Sequence, residues 1–204
     1  MTNDAAIEVR GFSQYFGEAR KLRALDLDVM RNEILGIIGP ARSGKSTFLC
    51  ALNRLNDLVR GSRHEGTIRI DGSDIYDPAV DVVALRRRLG MVFATPVPLP
   101  RSIYENVAFG ARRAGIRGRD RLDVLVRDSL EKGGLWEEVE DRLQTSGLKL
   151  SGGQQQRLCL ARILAVKPEF ILLDEPTSGL DTLVRREFLE SMVELAAAGR
   201  TVFL

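Results

Sequence analysis

The sequence predicts an α/β fold organised around a phosphate-binding site, and three stretches carry that prediction. The first is residues 33–56, which read as an apolar strand, a glycine-flanked loop and an amphipathic helix in that order. The second is S-G-G-Q at residues 151–154, opening another helix. The third is the apolar run 170–173, which ends in Asp174 and Glu175 and is closed by Pro176. Short apolar strands alternating with helical patterns are the signature of a sheet covered by helices.

The loop is the most specific of the three. Gly39, Pro40, Ala41, Arg42, Ser43, Gly44, Lys45 and Ser46 fit G-x-x-x-x-G-K-[ST], with Thr47 following. In that pattern backbone N–H groups cradle phosphates at a helix N-terminus, the lysine reaches the β- and γ-phosphates, and the serine hydroxyl holds Mg²⁺. The pattern has the strand before it and the helix after it that the chemistry requires. It therefore predicts a nucleotide site made by Gly39, Gly44, Lys45, Ser46 and Thr47.

With 204 residues the chain has interior for one sizeable domain with a subdomain. A formal net charge of +2 makes no case for a nucleic-acid tail, so the local arginine clusters, Arg86 to Arg88 among them, read as a solvated face. No apolar run approaches the roughly 20 residues that cross a bilayer, and the N-terminus lacks a signal-peptide core. The expected location is cytoplasmic. Cys50 and Cys159 sit in apolar helical patterns with no metal-ligand companion and read as buried structural thiols.

Taken in order, residues 7–12 and 25–29 alternate as half-buried strands, and residues 34–38 form the strand that feeds the loop. Tyr15 and Phe16 lie between them, and an aromatic pair there either stacks on a base or joins the core. The helix from Lys45 is expected to run to about Leu58, followed by a polar connector over 60–66 and a strand ending in Asp71-Gly72. His64, the single histidine, falls in that connector and reads as solvated. Residues 82–88 suit a short helix and 89–93 a buried strand. Three prolines within residues 96–100 then impose an extended, stiff loop suited to an interaction surface.

Residues 102–132 turn helical, with a break at A-G-I-R-G-R-D, and 135–139 add a short helix containing Trp136, expected in the core. This reads as a helical insertion between two halves of an α/β domain. Ser151 can N-cap the next helix, and a cap alone would explain it; two glycines just inside a helix, Gly152 and Gly153, are costly unless something such as a phosphate approaches closely. Asp174 and Glu175 end a buried strand where open α/β sheets bind ligands. Asp174 is placed for Mg²⁺ and Glu175 to polarise an attacking water. Residues 182–198 read as an amphipathic helix with Gly199 as its C-cap, and 201–204 as a strand.

With these pieces placed, the chain resembles the nucleotide-binding subunit of an ABC transporter along essentially its whole length. The signature L-S-G-G-Q-Q-Q-R, residues 150–157, is the specific element. Further segments, N-R-L-N-D-L, E-G-T-I-R-I-D-G-S-D-I-Y, L-R-R-R-L-G-M-V-F and S-I-Y-E-N-V-A-F-G, look like the ATPase subunit of the bacterial phosphate importer. The resemblance implies a P-loop NTPase (RecA-like) core with an N-terminal antiparallel β subdomain and an inserted α-helical subdomain carrying the signature. Residues 1–93 and 154–204 would form the β subdomain and core, and 94–153 the proline-rich loop and helical subdomain.

Position by position, the resemblance implies that Phe16 stacks on adenine and that Lys45 and Ser46 contact phosphate and Mg²⁺. It makes Asp174 the metal carboxylate and Glu175 the catalytic base. It also implies that Ser178, Gly179, Leu180 and Asp181 communicate across a dimer, and that Ser151, Gly152, Gly153 and Gln154 of one subunit cover the γ-phosphate held by Lys45 of a second. The implied partners are a second ABC ATPase subunit, identical or paralogous, and membrane subunits at the cytoplasmic face of the cell membrane; no nucleic acid is expected. ATP and Mg²⁺ are the implied cofactors, and phosphate import the implied process.

Three departures qualify this. Ala94 stands where the family places a glutamine, Arg42 where the loop usually has glycine, and the switch histidine is absent because the sequence stops at Leu204, so that a C-terminal part is apparently missing. They favour a second reading, a degenerate or truncated paralogue that binds ATP but hydrolyses it poorly. A third, a soluble ABC ATPase acting on nucleic acid or the ribosome, lacks the tandem cassettes or coiled-coil insertions such proteins show.

Overall fold

The structure is a computed structural model, and it describes residues 5–177 and 182–204. In chain order its elements are β1 (Ala5–Phe16), β2 (Ala19–Met30), β3 (Ile34–Leu35), α1 (Lys45–Leu52), β4 (Ser62–Ile70), β5 (Ser73–Asp74), α2 (Val82–Arg88), β6 (Leu89–Val92), α3 (Ile103–Arg113), α4 (Arg119–Lys132), α5 (Trp136–Val139), α6 (Gly152–Leu164), β7 (Phe170–Leu173), α7 (Thr182–Ala197) and β8 (Thr201–Phe203). They fall into two compact units. One takes described residues up to 89, with 169–174 and 196–204; the other takes 90–168 and the described residues of 175–195.

The first unit contains two sheets. An antiparallel sheet in the order β2-β1-β4-β5 buries Ile7, Val9 and Phe12 of β1 against Ile68 and Ile70 of β4. A parallel arrangement joins β3 to β8 and β8 to β7, with Ile34 opposite Val202 and Ile171 also opposite Val202. All four residues of β7 are buried, as expected of a strand covered on both faces.

Several sequence expectations need correction here. Residues 62–66 are not a connector but half of β4, in which 62–65 pair with residues 13–16 of β1. Their side chains are polar because this half of the strand faces solvent. His64 is accordingly not a loop residue: its ring stacks on Tyr76 at 3.7 Å and on Phe12 at 5.9 Å, and burial holds its pKa below the ordinary value.

The helix from Lys45 stops at Leu52, because Arg54 turns left-handed at φ 57° and anchors to Asp57 and the Ile75 carbonyl. A short 3₁₀ turn at Asn56–Leu58 follows. The strand expected over 34–38 is regular only at Ile34–Leu35, although Ile37 N–H still donates to the Leu204 carbonyl. Of Arg86 to Arg88, only Arg87 is freely solvated. Arg86 donates to the carbonyls of Asn53 and Arg54, and Arg88 forks onto both Glu169 oxygens at 2.8 Å.

The second unit is helical around one apolar cluster, in which Ile103, Val107, Val126, Leu130, Leu135 and Leu158 are essentially inaccessible. Ser102 caps α3 by accepting from Glu105 N–H, and the proline loop before it carries no regular structure. Trp136 packs on the cluster, partly buried, with the Arg127 guanidinium 5.1 Å above its ring. Cys159 is buried, as expected, but Cys50 in the first unit is only half-buried, and burial, then Asp174, pushes its thiol up to about 11. Among the described residues no helix is long and apolar enough to cross a membrane.

Candidate nucleotide site

Within the first unit the loop leaves no room for a side chain at its two glycines. Gly44 N-caps α1 at φ 107°, which excludes other residues on conformational grounds, and an added Cβ would fall 2.7 Å from the Leu22 side chain and 3.1 Å from the Lys21 carbonyl. A Cβ on Gly39 would meet the Ser43 hydroxyl at 2.8 Å. Ser43 N–H donates to the Pro40 carbonyl, closing a turn, and Arg42 between them takes φ 65°, a left-handed backbone that costs a residue with a Cβ roughly 1–2 kcal/mol. Lys45 Nζ bends back over the loop to the carbonyls of Gly39 at 2.9 Å and Pro40 at 3.2 Å.

The serine and the strand-end aspartate meet. Ser46 Oγ donates to Asp174 Oδ1 at 2.9 Å across 128 residues of sequence, and Asp174 is buried. Two hard oxygens side by side are the protein's usual share of a Mg²⁺ site completed by water and substrate phosphate. Among the described residues no cluster of three or more His, Cys, Asp or Glu could cage a metal without such a substrate. The donor set therefore fits Mg²⁺ held together with a nucleotide.

A buried network that sequence reasoning missed supports this loop. Gln14 donates to Ser62 Oγ at 2.9 Å and to the Arg63 carbonyl at 3.0 Å; Asn56 donates to Gln14 Oε1 at 3.3 Å and to the Thr47 carbonyl at 2.9 Å. The end of β1, which carries Phe16, is thereby tied to the start of α1. The one sequence hint was a glutamine and a serine inside a strand whose neighbours are apolar. Phe16 is half-buried and joins no ring stack among the described residues, whereas Tyr15 has its face covered by Arg63 at 3.7 Å and its hydroxyl donating to Glu65.

In the second unit, Ser151 caps α6 in a reciprocal box: its Oγ accepts from Gln154 N–H at 3.4 Å, and Gln154 Oε1 accepts from Ser151 N–H at 3.0 Å. Among the described residues a Cβ at Gly152 would meet nothing within 4 Å, so no packing among them calls for glycine there. Glu175 has an exposed side chain and φ 47°, a strained position between the end of β7 and Pro176. Ala94 is exposed beside Phe93, whose carbonyl accepts from Gln156 at 3.0 Å. Residues 178–181, including Asp181, lie outside the described residues.

A glycine-flanked loop at a helix start, a lysine folded onto it and a serine bonded to a strand-end aspartate define a nucleotide-phosphate site of the P-loop class. The profile of the ABC transporter family matches residues 22–178, and the chain belongs to that family. Over 190 residues, 93% of this chain and 76% of the relative, it is 50% identical to the phosphate import ATP-binding protein PstB of Thermotoga maritima. Among solved structures it resembles an ATP-binding cassette captured as a dimer in a post-hydrolysis state with ADP and Pi, at TM-score 0.84 and 28% identity, covering 97% of this chain and 86% of that one. It also resembles cbiO1 of Clostridium perfringens, part of the ABC transporter complex cbiONQ, at TM-score 0.82 and 26% identity, covering 98% and 77%. The fold is thus that of an ABC ATPase.

Proposed function

We propose that this chain is the ATP-binding subunit of an importer for inorganic phosphate, working as one of two ATPase subunits peripheral to membrane subunits at the cytoplasmic face. The 50% identity to a phosphate import ATP-binding protein across 93% of the chain carries the substrate assignment. The Ser46–Asp174 pair beside Lys45 supports the nucleotide assignment. Lys45 exchanges its two carbonyl partners for phosphate oxygens when ATP enters, and the loop's backbone N–H groups take the rest of the charge. Ser46 and Asp174 would hold Mg²⁺, which supplies charge neutralisation at the β- and γ-phosphates. Phe16 offers its ring to adenine. Glu175 takes a proton from the attacking water as general base. Ser151, Gly152, Gly153 and Gln154 close over the nucleotide of a second subunit, and Ser178 to Asp181 communicate across the dimer; the space left open at Gly152 by the described residues supports an approach from a partner. Residues 94–153 supply the face that meets the membrane subunits.

A second reading, ATP binding with slow turnover, is favoured by two observations. Arg42 holds a strained φ of 65° in the loop, and Ala94 offers a methyl where the family carries a glutamine amide. Fluorescent-nucleotide titration and steady-state hydrolysis separate the two readings. ATP binding lost in Lys45→Ala is expected under both. Hydrolysis abolished by Glu175→Gln and raised at least tenfold by Ala94→Gln supports turnover limited at Ala94. Wild-type binding no stronger than that of Lys45→Ala would overturn the nucleotide site itself.

A further inference from the structure

The cap of α6 is held from outside its own helix. Glu138, in α5, accepts from Gln154 Nε2 on one carboxylate oxygen and from Arg157 Nη1 on the other, each at 2.6 Å. Arg157 is a buried arginine, its side chain 10% exposed, and it also donates to the Gly134 carbonyl at 2.5 Å. Its Nε has no hydrogen-bond partner among the described residues, so Glu138 supplies the counter-charge of a cation that burial would otherwise penalise. Gly133 lets the end of α4 come close, since an added Cβ would sit 3.1 Å from the Arg157 carbonyl.

The chemistry of the pair dictates what Gln154 can do. An amide has one accepting end and one donating end, and either can face a neutral partner. An ionised carboxylate only accepts, so Glu138 draws Nε2 to itself and turns Oε1 toward Ser151 N–H, which is the orientation the capping box needs. Burial pushes the Glu138 carboxyl up, but hydrogen bonds from Gln154 and Arg157 and the charges of Arg157 and Arg142 outweigh it, and the group stays ionised at neutral pH. The chain of bonds Ser151–Gln154–Glu138–Arg157 is continuous.

We propose that Glu138 is a positioning residue for the residue 151–154 segment: by fixing the Gln154 amide and anchoring Arg157, it sets the start of α6 in the form that meets the nucleotide of a second subunit. This rests on the reading that the segment closes over a partner's ATP. Glu138 itself touches no substrate in that reading.

The test compares wild type with Glu138→Gln, Glu138→Asp and the neighbouring Glu137→Gln as a charge-loss control. Amide exchange of residues 151–155 is measured without nucleotide, ATP affinity by fluorescent nucleotide, and ATP-driven dimerisation in a Glu175→Gln background. Glu138→Gln is expected to speed exchange at the segment about tenfold or more, the loss of a hydrogen bond to a charged group. It should weaken dimerisation by a similar factor while ATP affinity stays within about twofold. Glu138→Asp, which keeps an acceptor-only group, should fall between it and wild type, and Glu137→Gln should match wild type. Unchanged exchange in Glu138→Gln overturns the positioning role. If Glu138→Gln instead accelerates exchange throughout the helical unit, the role is stability alone and the proposal fails. Failure of wild type to dimerise with ATP would overturn the underlying reading, while the exchange comparison still decides what Glu138 holds.

Discussion

Replacing Asn106 is expected to cost more than any surface change in the helical unit, because one buried amide organises the end of the proline-rich loop. Asn106 is fully buried; its Oδ1 accepts from Leu99 N–H at 2.7 Å, and its Nδ2 donates toward the carbonyls of Leu99 at 3.1 Å, Arg101 at 3.2 Å and Ser102 at 2.9 Å. Two amide hydrogens serve three carbonyls, so the net gain is that of about three hydrogen bonds, each worth roughly 1 kcal/mol. Truncation to alanine also strands the Leu99 N–H, which adds about 1 kcal/mol where water enters only partly. The expected loss for Asn106→Ala is therefore about 3–4 kcal/mol, a large share of the roughly 5–15 kcal/mol that holds a domain together. Asn106→Asp should be at least as costly, because it places a second oxygen against three carbonyls. Space is not in reserve, since a Cβ on Gly147 would already lie 2.9 Å from Nδ2. Urea unfolding followed by circular dichroism gives the midpoint and slope, and the slope should be unchanged. A loss below about 1 kcal/mol for Asn106→Ala, or wild-type stability for Asn106→Asp, would refute the reasoning.

Two further outcomes follow from the first unit. Arg42→Gly relieves a left-handed backbone at φ 65°, and although glycine loses more entropy on folding, the variant should be as stable as wild type or up to about 1 kcal/mol more stable; a loss of more than that in thermal unfolding would show that the side chain, not the backbone, dominates. Glu169 is held below its ordinary value of 4.5 chiefly by the hydrogen bond from Arg88. A depressed carboxylate contributes stability above its unfolded pKa and loses it as pH falls through the folded one, so Glu169→Gln should show a shallower stability decline between about pH 5 and 3. At pH 7 the same variant should lose under about 1 kcal/mol, because both partners are partly solvated; parallel acid limbs would count against the pair.

How much could be read from the sequence differed from element to element for physical reasons. The start of α3 was visible because Ser102 and the apolar spacing of Ile103, Val107 and Ala111 are local signals. The first half of β4 was not, because Ser62 to Gly66 carry no apolar alternation and are a strand only by virtue of pairing with β1. His64 is exposed, as expected, but its place in a strand was missed for the same reason, and its stacking partners Phe12 and Tyr76 come from other parts of the chain. The end of α1 depended on Arg54 adopting a backbone region that residue type does not announce.

By itself the sequence determined the order of strands and helices, the phosphate loop at Gly39 to Ser46 and the cap at Ser151. These arise from backbone preferences and interactions within a few residues, which any short stretch carries with it. Only the tertiary structure decided that Ser46 meets Asp174 across 128 positions, that Gln14 and Asn56 hold Thr47, and that Glu138 turns the Gln154 amide. Those partners are chosen by packing, which brings donors and acceptors together irrespective of their separation along the chain and leaves in each segment alone no trace of the residue it will meet.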